Sequence, residues 1–438
     1  TSNFLQGIFA VESEMQRERF ITYSRDQAFK NLMEYSHWLA DPRLVRAIVD
    51  CSGETISWLI KCGVQFSSVG INMPDAPHTY HVIKGRGEGL IKALTGRARE
   101  VGVDIILDTA VKRIIKSGDK ISAVAVEQDG EDRQVKTSTV IICTGGYANH
   151  KEWIKKYTGF DLGVNLIVVG NVDKMGEGIR MAQELGAADD GIRLLELYRA
   201  GPIGPGFAMA CQLEYVAVQP ELWVDPRGQR FCDESICFYD SEVGNAAAKI
   251  REGYSFTIFD DSVIKRLLEQ GVDKNINIDI MPGSRPLDLE KEMQAAFARG
   301  TQELFQGESI EELAGKMGAV PEILKKNLEE YNKSCLTGHD PLFAKNPKYL
   351  RPLLGPRYYA LKARTVFLGT MGGIKINHRA EVVDKKNNVI PGLYAAGFDA
   401  GGMYGDSYPI RHASGLSSAF ALNSGRIAGI NALNRTQK

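Results

Sequence analysis

Two stretches far apart in the chain run from an apolar strand straight into small residues: Val140-Ile141-Ile142-Cys143-Thr144-Gly145-Gly146 and Gly392-Leu393-Tyr394-Ala395-Ala396-Gly397. A buried strand ending in glycine lets the backbone approach a flat or phosphorylated ligand at the carboxyl edge of a parallel sheet. The same glycines also serve a plain tight turn. Glycine numbers 45 of 438 residues against 16 prolines, and it clusters beside apolar runs, which sets it apart from linker composition. With 44% hydrophobic residues there is material for a large core and more than one domain.

Lys plus Arg number 53 and Asp plus Glu 54, a net charge of −1, so no basic excess is available to neutralise a phosphate backbone. Nucleic acid is excluded as a primary partner on that ground. The cysteines are Cys51, Cys62, Cys143, Cys211, Cys232, Cys237 and Cys335, an odd set without CxxC spacing. That argues against a disulfide framework and a structural zinc site, so no metal is expected, and a reducing, cytoplasmic location is. No apolar run approaches the roughly 18 residues of a membrane span.

Helical spacing predicts helices over Arg25–Leu39 and Pro42–Cys62, with Asp41 as N-cap ahead of Pro42. From His81 the pattern reads strand, glycine turn, helix to Glu100, then strands Val103–Leu107, Ala110–Ser117, Ile121–Gln128 and Gln134–Val140, with a buried strand ending at Ile142. Beyond Gly191 come Gly-Pro-rich loops, strands at Leu222–Val224 and Ser255–Phe259, and helices Glu290–Arg299, Glu311–Met317 and Val320–Leu336. Strand signals resume at Val366, and a helix Leu416–Leu433 follows. The expected partition is 1–190 and 356–438 for one α/β domain, with 191–355 an inserted α+β domain. Met175-Gly176-Glu177-Gly178 and Gly85-Arg86-Gly87-Glu88-Gly89 each open a helix, and Ser414-Gly415-Leu416-Ser417 opens the last one. Amide groups at such starts can meet a ligand or be ordinarily capped.

This order of motifs resembles the fumarate reductase and succinate dehydrogenase flavoprotein family, in particular its soluble FAD-dependent reductases and ketosteroid dehydrogenases. The resemblance starts at Gly7-Ile8-Phe9-Ala10 and passes through Thr144-Gly145-Gly146-Tyr147, Met175–Gly178 and Val224-Asp225-Pro226-Arg227-Gly228-Gln229-Arg230-Phe231. It ends with Thr370-Met371-Gly372-Gly373, Tyr394–Gly397 and Gly425-Arg426-Ile427-Ala428-Gly429. It implies a glutathione reductase-like FAD-binding domain and a capping domain, with substrate between the cap and the isoalloxazine ring. FAD would be held non-covalently by Thr1, Ser2, Gly7, Val111, Thr144, Gly145, Gly146, Gly176, Gly178, Gly397, Asp399, Ser414, Gly415, Leu416 and Ser417. The family's GxGxxG unit lies ahead of the Gly7 element, so the expected fold lacks that first βαβ, about 30 residues.

The resemblance also implies a catalytic set, and the sequence departs from it. Gly369 stands where fumarate reductases place a substrate-binding His, Phe238 or Tyr239 where a proton-delivering Arg is expected, and Ala217 where the proton path has another Arg. Glu214 matches the acidic member of that path. Arg411 is the remaining carboxylate or carbonyl anchor, and Tyr239 and Tyr408 are the candidate proton donors. The expected activity is reduction of an activated C=C bond in an enoate, aryl-acrylate or enone, by hydride from flavin N5, with electrons from an external donor. The alternatives are a ketosteroid-type dehydrogenase running the reverse reaction, or a non-catalytic fragment unable to hold FAD.

Overall fold

Asp41 caps the helix Pro42–Lys61 as its position before a proline dictates, its Oδ1 accepting from Arg43 N (2.8 Å) and Leu44 N (3.1 Å). The preceding helix, Arg25–Tyr35, stops short of Leu39 because His37 and Trp38 take left-handed φ values of 49° and 61°. The computed structural model describes residues 5–208, 210–276 and 279–437. Thr1 and Ser2, expected at the cofactor, lie outside these residues.

The chain divides into two compact units. The first comprises the chain up to Phe160, Val168–Glu196 and the stretch from Leu368 onward; the second comprises Asp161–Ile167 and Leu197–Phe367. Both boundaries fall later than the sequence partition places them. The long strand Tyr358–Thr370 explains one of these shifts, since its residues Tyr358–Arg364 pair antiparallel with Tyr254–Asp260 inside the second unit.

In the first unit, Val140–Ile142 and Val389–Ala395 lie side by side and parallel, with Leu393 opposite Val140 and Ala395 opposite Ile142. The two glycine turns of the sequence therefore leave the same sheet edge together. Glu381–Val383 flanks Val389–Ala395 antiparallel. A separate meander joins Thr109–Ser117, Lys120–Gln128 and Glu131–Lys136. That meander stops at Lys136 instead of running to Val140 because Thr137 Oγ1 donates to Thr139 O (2.8 Å) and turns the chain. Val103–Leu107 is not a strand: it joins no ladder among the described residues, and Ile106 and Leu107 are 63% and 70% exposed. A short apolar run has the composition of a strand, but without a neighbour for its backbone groups the segment stays irregular.

In the second unit, Tyr254–Asp260 lies between Leu222–Val224 and Tyr358–Thr370, and Leu304–Gly307 pairs with the other side of Tyr358–Leu361. The helices Ile310–Met317 and Pro321–Thr337 cover a core of Leu222, Val224, Phe256, Ile258, Leu313 and Leu328. Behind it sits a buried charge network. Glu234 takes two bonds of 2.7 Å from the Arg230 guanidinium and an ion pair of 3.2 Å from Lys345, while Arg230 also reaches Asp340 at 2.7 Å. No described helix is long and apolar enough to cross a membrane.

Candidate functional site

Asp399 ties the two parallel strand ends together. It follows Val389–Ala395 by one short turn, and its buried carboxylate accepts from Thr144 Oγ1 (2.9 Å), Gly145 N (2.9 Å) and Gly146 N (3.0 Å). Burial pushes this carboxyl up, while the same donors stabilise its ionised form and oppose the shift. Gly146, at φ 82°, has no room for a side chain: a Cβ there would collide with Thr370 Oγ1. The helix Glu177–Glu184 opens on this cluster, with Gly176 N donating to Gly146 O (3.1 Å) and Gly178 N to Thr144 Oγ1 (3.2 Å). Gly397 N donates to Ser424 Oγ on the C-terminal helix at 3.0 Å. Thr144, Gly145, Gly146, Gly176, Gly178, Gly397 and Asp399 thus form one constellation, with Asp399 facing inward as its tie.

A second constellation gathers at the start of the C-terminal helix, Leu416–Thr436. Its N-cap is Gly415 at φ 79°, pressed against the first strand: Phe9 N donates to Gly415 O (3.1 Å), and a Cβ on Gly415 would lie 2.9 Å from Gly7 O. Ser414 Oγ donates to Ile410 O (2.9 Å), and Leu416 is fully buried. Tyr408 is here too, its hydroxyl engaged at the helix start. Its hydroxyl accepts from Ser417 N at 3.1 Å, so it caps the helix, and burial raises its pKa further from neutrality. Val111 lies on the meander strand opposite Val126, 40% exposed, beside Lys112, whose carbonyl oxygen accepts from Arg180 (3.3 Å) on the helix Glu177–Glu184.

Sequence reasoning missed Tyr404 and Glu196. Tyr404 packs against Tyr408 (ring centroids 5.6 Å apart) and Phe420 (5.7 Å), and its buried hydroxyl has no hydrogen-bond partner among the described residues. Burial raises both tyrosines, and the carboxylate of Glu196 raises them further. The aromatic residues before the helix carried a weak sequence signal; Glu196, alone in a strand, carried none. Arg411 sits half-buried in the turn before the same helix, where it and burial together push His412 down. At Gly369 a Cβ would lie 2.5 Å from the ring of Phe398. That ring holds the space where fumarate reductases are expected to carry a histidine.

In the second unit, Glu214 lies in the first turn of the helix Gln212–Ala217 and accepts from Ala210 N at 2.8 Å. Burial raises its carboxyl, with that amide and Lys274 opposing. Tyr239, 8% exposed, links the turn Glu234–Phe238 to the helix Asp240–Ala247. Ala217 is wholly buried. No described group of three or more His, Cys, Asp or Glu side chains could hold a metal.

Residues 2–411 match the family model described as FAD binding domain. The chain belongs to this family. Among its relatives, vinyl phenol reductase of Lactiplantibacillus plantarum is 32% identical over 447 residues, covering 100% of this chain and 90% of that protein. Fumarate reductase (cytochrome) of Shewanella frigidimarina is 25% identical, covering 99% of this chain and 70% of that protein. The structure of 3-ketosteroid delta1-dehydrogenase from Sterolibacterium denitrificans shares the fold, with a TM-score of 0.78 at 16% identity over 100% of this chain and 93% of that one. The chain is thus an FAD-dependent oxidoreductase of fumarate reductase-like kind, as its motifs imply. One feature of the first unit fits a bound cofactor: the buried Tyr404 hydroxyl, without a hydrogen-bond partner among the described residues, can take a polar ligand atom.

Proposed function

We propose that the protein reduces a carbon–carbon double bond conjugated to an aromatic ring or a carbonyl group, with vinylphenols and aryl-acrylates as the substrate class. The observation that carries this reading is the ring of Phe398 against Gly369, which puts an aromatic wall in place of a carboxylate-binding histidine. Ala217, buried where the resembled proton path has an arginine, removes a cation from that path. A small dicarboxylate loses its partners, whereas an arene gains one. The relative named vinyl phenol reductase, matched over the full chain, supports the same substrate class.

When bound and reduced, FAD supplies a hydride, with its electron pair, to one alkene carbon. Arg411 holds and polarises the conjugated group, as a guanidinium does for a carboxylate or carbonyl oxygen. Tyr239 gives its hydroxyl proton to the neighbouring carbon. Glu214, its carboxyl raised by burial, keeps a proton to higher pH than an ordinary glutamate and can restock that donor. Tyr408 holds the C-terminal helix through Ser417 and so positions the residues beside Arg411. Electrons reach the cofactor from an external donor, and the free thiols suit a reducing, cytoplasmic compartment.

Anaerobic incubation of the FAD-loaded protein with reduced viologen and cinnamate tests this reading, the saturated acid being the expected product. Arg411→Ala is expected to raise KM for cinnamate about 10- to 100-fold, the worth of one charge-assisted hydrogen bond. An unchanged KM would remove Arg411 as anchor.

A further inference from the structure

The loop that carries Arg411 is fastened to the end of the helix Arg25–Tyr35, a part of the chain to which the mechanism above gives no task. After Tyr35 the left-handed residues His37 and Trp38 turn the chain back on itself, with Trp38 N donating to Met33 O (2.8 Å) and Leu39 N to Ser36 O (2.9 Å). The loop lies against this turn. Asp41 N donates to Gly402 O at 2.7 Å, and Gly405 comes so close that a Cβ on it would lie 2.9 Å from Ser36 Cβ. His37 reaches Asp406 at 3.7 Å, an exposed pair that contributes little in water.

Two contacts bracket Arg411 in the chain, and Tyr35 makes both. Its hydroxyl lies 3.3 Å from Ser407 Oγ, and its ring meets the His412 ring edge-on with centroids 5.6 Å apart. Burial and the charge of Arg411 push His412 below its ordinary pKa, so the ring on which Tyr35 packs is the neutral one. Between these points the backbone closes on itself. Ile410 N donates to Tyr408 O (2.9 Å), while His412 N (3.0 Å) and Ala413 N (2.9 Å) both donate to Pro409 O. A turn closed over so few residues carries the placement of its ends to the residue inside it. Tyr408 ties this turn to the C-terminal helix through Ser417 N, and Tyr35 ties it to the helix Arg25–Tyr35.

We propose that Tyr35 is a positioning residue for substrate binding: by holding Ser407 and His412 it sets the place from which Arg411 meets the carboxylate or carbonyl oxygen of the substrate. The inference rests on the reading of Arg411 as anchor. A binding group reaches productive geometry only when the residues that support it are themselves fixed, and Tyr35 fixes the turn on both sides of this one. Its contribution falls on substrates that carry such an oxygen, cinnamate among them. It does not extend to 4-vinylphenol, whose double bond is conjugated to the ring alone.

The test compares variants of the FAD-loaded, viologen-reduced protein with cinnamate and 4-vinylphenol as probes. Tyr35→Phe keeps the ring against His412 and removes only the hydroxyl. It is expected to raise KM for cinnamate about 3- to 10-fold, the range of one neutral hydrogen bond, with kcat, flavin content and KM for 4-vinylphenol unchanged. Ser407→Ala removes the other partner of the same contact and should give the same shift, and Tyr35→Leu, which removes both contacts, a larger one. In the Arg411→Ala background Tyr35→Phe should add nothing, because it acts through the residue already removed. A tyrosine that merely braced the fold would change KM for both probes alike, or add its full effect to R411A; either result would overturn the inference. The two assignments separate cleanly. A raised KM for cinnamate in R411A with an unchanged one in Y35F and S407A keeps the anchor and removes Tyr35, whereas an unchanged KM in R411A removes the anchor and the role of Tyr35 with it.

Discussion

Tyr239→Phe is expected to lower kcat by about 10²- to 10⁴-fold, the range that a positioned general acid contributes, while KM and FAD content stay as in the wild type. The substitution removes one oxygen from a residue that is 8% exposed and keeps the ring that links Glu234–Phe238 to Asp240–Ala247. Rapid mixing of the reduced protein with cinnamate measures the effect directly. A loss confined to KM would make Tyr239 a binding residue, and no loss would remove it from the chemistry.

The largest effect on stability is expected at Glu234. Its side chain is fully buried, takes both 2.7 Å bonds from Arg230 and pairs with Lys345, which is itself 1% exposed. Glu234→Ala leaves two buried cations with Asp340 as their remaining carboxylate in the network, and breaking a buried pair in this way costs about 3–5 kcal/mol. The Arg230 guanidinium holds Asp340 below the usual carboxylate range, so the Arg230–Asp340 pair survives mild acid and is lost only as pH falls through that lowered pKa. Chemical unfolding of E234A read through Trp223, buried beside Glu234, measures the cost. A change under about 1 kcal/mol would show that the network is a minor contributor.

What the sequence makes legible is local. Thr144-Gly145-Gly146 and Gly397 declare themselves because an apolar strand feeding glycine has few uses, and their parallel pairing brings them together. Asp41 ahead of Pro42 predicts a capped helix and the structure has one. Where the outcome depends on a distant partner, local reading fails. Val103–Leu107 has strand composition without a neighbour to pair with. Tyr408 reads as an isolated tyrosine until Ser417 N is found on its hydroxyl. Asp399 reads as a ligand-facing carboxylate until Thr144 and the two glycine amides occupy it. Lys274 lies in a polar loop whose spacing says nothing, and its burial is the work of Gln219 and Asp240, 55 and 34 positions away in the chain.

The same contrast underlies the proposed substrate class. Motifs shared across the family identify the cofactor and the hydride chemistry, while specificity rests on substitutions whose meaning is three-dimensional. Gly369 alone reads as a lost histidine; Gly369 beneath the Phe398 ring is what supports the proposal of an arene substrate. The most direct measurement is therefore kcat/KM of the FAD-loaded, viologen-reduced protein for 4-vinylphenol against fumarate. The proposed site predicts at least about a 10-fold preference for 4-vinylphenol, the worth of the one charge-assisted contact to a dicarboxylate lost at Gly369. Equal or faster reduction of fumarate would contradict it.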